Sequence, residues 1–290
     1  MSPRSPSTAA EPIAPTQAVA AVAEQDVLIE LPRREPIKAR IYGERQAGGG
    51  PLVLHFHGGT FVCGELDDGR MVARLLAASG AVVLSVAYPL APKNPFPGAI
   101  ELGFDVLEWL FKNRTKLGGK NARIYLAGEE AGGNLAAGMA LIARDRGHPP
   151  LAGQLLLSPM LDPCAGTESL RKATEDDMAS QCKWAAGWAK YLGRPKDALH
   201  PYAVPGSSLR LGQLAPTLVV VGQDDAMRDE GLAYATRLRE AGNNVTSIVL
   251  PSAAGWEESL AQGASGECPC EVTVKQHFRE FFSAAPPPAG

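Results

Sequence analysis

Six short apolar runs, PLVLHFH, AVVLSVAY, ARIYLAG, GQLLLSP, PTLVVVG and VTSIVLP, recur along the chain with helix-spaced segments between most of them. This alternation is the strongest constraint on the fold. Each run suits a strand better than a helix, and an unbroken apolar run indicates a strand covered on both faces. GRMVARLLAASG, IELGFDVLEWLFKNR, residues 131–146, EGLAYATRLREAG and VTVKQHFREFF have helical spacing. QDVLIEL and IKARIYG, separated by a Pro-containing turn, read as an antiparallel pair at a sheet edge. The expected architecture is α/β: an eight-stranded, mostly parallel sheet with helices on both faces. In such sheets ligands sit beyond the carboxyl ends of the strands, so chemistry is sought there.

Residues 163–206 interrupt the alternation and read as a small, partly helical cap. Met178, Trp184 and Trp188 give this insertion an apolar pocket mouth or a packed helix face. The main domain is expected over residues 25–283. Residues 1–24, rich in Ser, Pro and Ala with one arginine, read as a disordered leader, and residues 284–290 as a disordered tail. A net charge of −3 over 290 residues, with no basic stripe, argues against nucleic acid as a partner. No apolar run reaches membrane-spanning length.

The five cysteines form no regular framework, which favours a reducing, cytoplasmic setting. Cys268-Pro269-Cys270 lacks the further ligands of a zinc site and is too closely spaced for an ordinary disulfide, so it reads as a surface loop. No metal or cofactor is expected.

Two strand-end motifs carry chemistry. His55-Phe56-His57-Gly58-Gly59-Thr60 follows a strand, and its glycines let backbone N–H groups approach a ligand as an oxyanion hole. Gly128-Glu129-Glu130-Ala131-Gly132-Gly133 has the small-residue spacing of a strand-to-helix nucleophile elbow, yet contains no serine.

With VAYPLAPKNPFPGAIE and DDAMRDEG, these motifs make the chain resemble the hormone-sensitive-lipase-like branch of the α/β-hydrolases over about residues 25–283. The resemblance implies oxyanion donors on Gly58, Gly59 and Ala131, with Thr60 replacing the family's third glycine. It places Glu130 at the nucleophile position, Glu129 where the family has Asp, and Asp225 as the triad acid. Ala254, before Gly255-Trp256, falls where the family's histidine should be. His57, Thr60, Glu129, His200 and Trp256 are candidate pocket residues. His57 is expected to be structural, His55 to point to the other face of its strand, and His277 to serve the surface or packing of the last helix. In VAYPLAPKN, Pro89 and Lys93 replace the arginine and acidic residue of the family's structural ion pair.

A serine at the elbow attacks because a histidine takes its proton. Glu130 needs no such help, but a carboxylate is a weak nucleophile and its acyl product would be an anhydride. A carboxylate beside backbone N–H donors at a helix start is electrostatically stabilised, so Glu130 is expected to fold back into the oxyanion hole or to project into a solvated pocket.

The preferred reading is a non-hydrolytic pseudoenzyme that binds a small apolar ligand. The resemblance supplies a precedent in plant gibberellin receptors, which lack the catalytic histidine. One alternative is a lyase, isomerase or cyclase using Glu130 as general acid or base, and another is a residual carboxylic ester hydrolase. A small-molecule ligand or substrate is the expected partner, and family habit makes a homodimer an expectation.

Overall fold

A computed structural model of the protein describes residues 22–163, 166–174, 178–262 and 268–284. The eight strands are β1 (Glu24–Ile29), β2 (Ile37–Tyr42), β3 (Pro51–Phe56), β4 (Val82–Val86), β5 (Arg123–Glu129), β6 (Gly153–Leu157), β7 (Thr217–Gly222) and β8 (Val245–Leu250). They form one sheet in the order β1-β2-β4-β3-β5-β6-β7-β8. β1 pairs with β2 and β2 with β4 in antiparallel fashion, and every other pairing is parallel.

Alternation along the central strands divides the core in two. Leu52, Leu54 and Phe56 of β3 and Val219 and Val221 of β7 face a layer containing α2 (Gly98–Gly118), α3 (Ala131–Arg146) and α6 (Arg228–Glu240). Val53, Tyr125, Ala127, Leu218 and Val220 face the other layer, with α1 (Arg70–Ala78) and α8 (Glu271–Ala284). Burying each such aliphatic side chain contributes about 1.5–3 kcal/mol. α3 is buried at every position from Ala131 to Ala143, because its small residues let it lie close to the sheet.

The segment between β6 and β7 holds α4 (Glu168–Thr174), α5 (Met178–Tyr191) and two short 3-10 turns. Trp188 and Tyr191 of α5 pack on Phe61, whose ring stacks on Tyr191 at 4.0 Å. Gly187 is required at the contact between α5 and the loop after β3, since a Cβ there would lie 2.4 Å from the carbonyl oxygen of Thr60. Asp229 accepts the N–H of Ser169 at 2.8 Å, and the Ser169 hydroxyl donates to the carbonyl of Ala226 at 3.0 Å, clamping α4 to the start of α6.

α7 (Trp256–Gln262) follows β8 through a 3-10 turn at Ser252–Ala254. Cys268 and Cys270 correct the surface-loop expectation. They are joined as a disulfide with Cα atoms 5.0 Å apart, and both are buried in the layer containing Trp256, Val274 and Phe278. The Cα separation lies inside the ordinary disulfide range, which the residue count alone did not suggest. The proposed leader lies mostly outside the described residues, and Glu24 already belongs to β1; of the proposed tail, only Ala284 is described, as the end of α8. No helix among the described residues is long and apolar enough to cross a membrane.

Candidate functional site

β5 ends at Glu129 and α3 begins at Ala131, leaving Glu130 alone in the turn with φ 47° and ψ −115°. Main-chain bonds hold it there. Its N–H donates to Leu157 O at 3.0 Å, and its carbonyl accepts from Asn134 N at 3.2 Å and Met160 N at 3.0 Å. The neighbouring glycines are steric requirements of the turn: a Cβ on Gly132 would lie 1.9 Å from the carbonyl oxygen of Phe56. The elbow anticipated from the sequence is therefore present as backbone geometry, with a carboxylate at its apex.

Both glycines after β3 donate to this turn. Gly58 N–H donates to Glu129 Oε1 at 3.2 Å, and Gly59 N–H donates to Glu130 Oε2 at 3.0 Å. The N–H of Ala131, as first residue of α3, has no intrahelical acceptor. Of the two expected placements of Glu130, the structure takes the one folded back, onto the Gly59 N–H.

Glu129 is buried and its second oxygen lies 2.8 Å from His55 Nε2, while His55 Nδ1 lies 3.0 Å from Ser85 Oγ. This corrects the placement of His55 on the far face. Residues two apart on a strand share a face, so Val53 and His55 of β3 and Tyr125, Ala127 and Glu129 of β5 all face the α1 layer. His57 stacks on Tyr88 at 4.4 Å, and its Nδ1 donates to Gly58 O at 2.8 Å. Burial pushes the His57 imidazole below its ordinary value, partly opposed by the Gly58 carbonyl and the Glu129 charge. The Tyr88 hydroxyl donates to His57 O at 2.9 Å, and burial together with Glu129 and Glu130 holds its phenol well above the usual range.

Asp225 lies in the loop between β7 and α6 and is buried. Its Oδ2 accepts from the Ser158 hydroxyl and its Oδ1 from Met227 N at 2.8 Å. Trp256, wholly buried, donates its indole N–H to Ser158 Oγ at 2.9 Å. Burial pushes the Asp225 carboxyl up, with the Ser158 and Met227 donors acting against it. Ala254 closes the 3-10 turn after β8, half-buried against the layer containing Trp256. On α6, Glu230 accepts the N–H groups of Leu161 and Asp162 at 3.4 and 3.3 Å, and burial pushes its carboxyl up to about 8.

A cavity of about 250 Å³ opens over the elbow, with Asp68, Glu129, Glu130 and Lys183 among its polar lining residues. Met71 and Val72 of α1 and Leu260 and Ala261 of α7 supply apolar wall, and Cys63 and the glycines after β3 complete it. The remaining candidates lie elsewhere. Thr60 is buried beneath α5, and Trp256 serves Ser158. His200 is exposed between Phe96 and Tyr202, because its 3-10 turn carries it away from the elbow. Trp188 is core, Trp184 is half-buried against it, and the Met178 side chain lies outside the described residues.

Sequence reasoning missed Ser158, Asp68, Lys183 and Cys63. Ser158 had a signal, its place at the carboxyl end of the GQLLLSP strand. The other three reach the cavity only through the packing of loop and helix. Among the described residues, no group of three or more His, Cys, Asp or Glu is arranged to hold a metal ion.

A family model described as alpha/beta hydrolase fold matches residues 53–254. The chain is 36% identical over 216 residues to Esterase LipI of Mycobacterium tuberculosis, covering 71% of this chain and 66% of that protein. It is 34% identical over 213 residues to Gibberellin receptor GID1A of Arabidopsis thaliana, covering 70% of this chain and 61% of that protein. The match thus spans less than two thirds of these relatives' own lengths. Among solved structures, a hyperthermophilic esterase from the archaeon Pyrobaculum calidifontis aligns with TM-score 0.76 and 35% identity, over 90% of this chain and 85% of that one.

Proposed function

Because this chain belongs to the α/β-hydrolase fold family, we propose that it is a non-hydrolytic member whose cavity binds a small molecule instead of cleaving an ester. The observation that carries this reading is the Glu130 carboxylate lying against the Gly59 N–H, where an ester's developing oxyanion would need a donor. Gly58 N–H is engaged in the same way by Glu129. A substrate carbonyl entering this site meets negative charge where an acyl-transfer enzyme offers hydrogen-bond donors.

The arrangement around Asp225 supports the same conclusion. In a triad the acid orients a histidine, whereas both Asp225 oxygens here accept from Ser158 and Met227. The histidines have other surroundings: His55 meets Glu129, His57 stacks on Tyr88, His148 packs on Phe111, His200 on Phe96, and His277 lies 3.5 Å from Glu280. Without a base to activate water, an anhydride formed on Glu130 would persist. The relatives include one named as a gibberellin receptor beside those named as esterases, so a receptor role has a counterpart among them.

A second reading, Glu130 as general acid or base in a lyase, isomerase or cyclase, draws on its position lining the cavity. Hydrolysis of p-nitrophenyl acetate and butyrate by the wild type, Glu130→Gln and Glu130→Ser/Ala254→His tests the non-hydrolytic claim. The expected result is a wild type no faster than Glu130→Gln, with activity gained by the double variant as Asp225 exchanges Ser158 for the new imidazole. Wild-type turnover well above Glu130→Gln overturns the non-hydrolytic reading and makes Glu130 a working catalytic group. The acid/base reading would instead show a non-ester reaction that Glu130→Gln abolishes without loss of fold.

A further inference from the structure

We infer that the cavity over the elbow takes a small organic cation, a primary ammonium on a short apolar tail. The inference deepens the non-hydrolytic reading and rests on it. The hydrogen-bonding polarity of the cavity floor is its basis. In an acyl-transfer site the glycine N–H groups face the ligand as donors. Here Gly58 N–H points at Glu129 and Gly59 N–H at Glu130, so at these two glycines carboxylate oxygens stand where the donors would face the ligand. A donor floor has become an acceptor floor.

Not all of these acceptors are equally occupied. Glu129 has one oxygen on Gly58 N–H and the other on His55, and it is 4% exposed, so it contributes charge more than a free contact. Glu130 is half-buried and its Oε2 accepts the N–H of Gly59, while a carboxylate has about four acceptor sites. Asp68 lines the same cavity, with its Oδ2 accepting the N–H of Glu65 at 2.7 Å. Against these three carboxylates the described lining has one cation, the exposed Lys183 of α5.

An ammonium offers three donors and the charge that the floor lacks. A carboxylate or ester carbonyl would be desolvated beside Glu130, with only the exposed Lys183 of the described lining to replace its lost water. Met71, Val72, Leu260 and Ala261 give the tail an apolar wall. A volume near 250 Å³ limits that tail to a few carbons, since pockets for drug-sized ligands start at about 300 Å³.

The test is isothermal titration calorimetry of the full chain at pH 7 and low salt with n-butylammonium, 1-butanol and butyrate. The three probes share a tail and differ in head group. Butylammonium should bind about tenfold or more tightly than butanol, butyrate more weakly still, and added salt should erode the difference. Glu130→Gln keeps an acceptor for Gly59 N–H but removes the charge, so it should lose about tenfold in butylammonium affinity. Asp68→Asn should lose part of it, with near-UV circular dichroism confirming that both variants remain folded.

The wild-type probe series needs no variant to decide the matter. Butyrate or butanol binding as tightly as butylammonium overturns the inference. So does an absence of saturable butylammonium binding, or a folded Glu130→Gln that keeps the preference. Ester turnover is scored separately: hydrolysis by the wild type overturns the non-hydrolytic reading, while failure of the head-group series with no hydrolysis overturns only the ligand class.

Discussion

Replacing Ser158 by Ala tests how the buried acid is held. Ser158 donates to Asp225 Oδ2 and accepts the indole N–H of Trp256, so the substitution breaks two contacts in a buried network. A hydrogen bond to a charged group contributes about 1.5–3 kcal/mol, and leaving the Trp256 N–H unpartnered costs about 1–3 kcal/mol. The loss should be roughly 3–5 kcal/mol, because partial relaxation prevents simple addition. At about 2 °C per kcal/mol for a domain of this size, the melting temperature should fall by roughly 6–10 °C.

The pH dependence distinguishes this account from a packing defect. Asp225 has a folded pKa above its ordinary value, so the folded state holds the proton more tightly than the unfolded state. Its contribution is greatest at low pH and is lost as pH rises through the folded pKa. Removing the Ser158 donor takes away a group that stabilises the ionised form, which raises that pKa further. The deficit of Ser158→Ala against wild type, read by scanning calorimetry, should therefore be larger at pH 7 than in acid, where the raised folded pKa favours the protonated carboxyl. Equal deficits at both pH values would refute the charge-holding role and leave Ser158 as a packing residue.

Glu230, pushed up to about 8 by burial, should make the wild type lose stability as pH rises from about 4.5 to about 8, by an amount of order a few kcal/mol. In denaturant titrations at pH 5 and pH 9, Glu230→Gln should lose this slope; parallel wild-type and variant curves would count against it. Gly132→Ala would place a Cβ 1.9 Å from a carbonyl oxygen of β3, so it should yield little folded protein at any pH, and near-wild-type expression and melting would contradict the close approach.

The sheet was legible in the sequence because each central strand is a predominantly apolar run, as burial on both faces requires. The elbow was legible because its glycines are steric requirements of the turn. The surroundings of Asp225 were not. Ser158 meets that carboxylate across two loops 67 positions apart, and nothing local at Ser158 announces the pairing. His55 was misplaced for a simpler reason, since strand alternation puts residues 55 and 57 on one face. His200 stands at the end of the insertion, from where a cap residue could approach the pocket, yet the 3-10 turn before it directs the ring to the surface. The disulfide escaped because residue spacing does not fix the distance between Cα atoms, which the chain direction entering α8 sets at 5.0 Å.

The turn at Glu130 holds a non-glycine residue at positive φ, a conformation that costs about 1–3 kcal/mol. The bonds that keep it there run from its own N–H and carbonyl to Leu157, Asn134 and Met160, and none involves the side chain. The turn therefore does not depend on the group it displays. An L-residue other than proline placed at 130 inherits nearly the same strained backbone and the same aim at the strand ends, so its chemistry can be exchanged with little consequence for the fold. Such a position changes activity faster than stability, and a lineage can lose one reaction there and acquire another without passing through an unfolded protein.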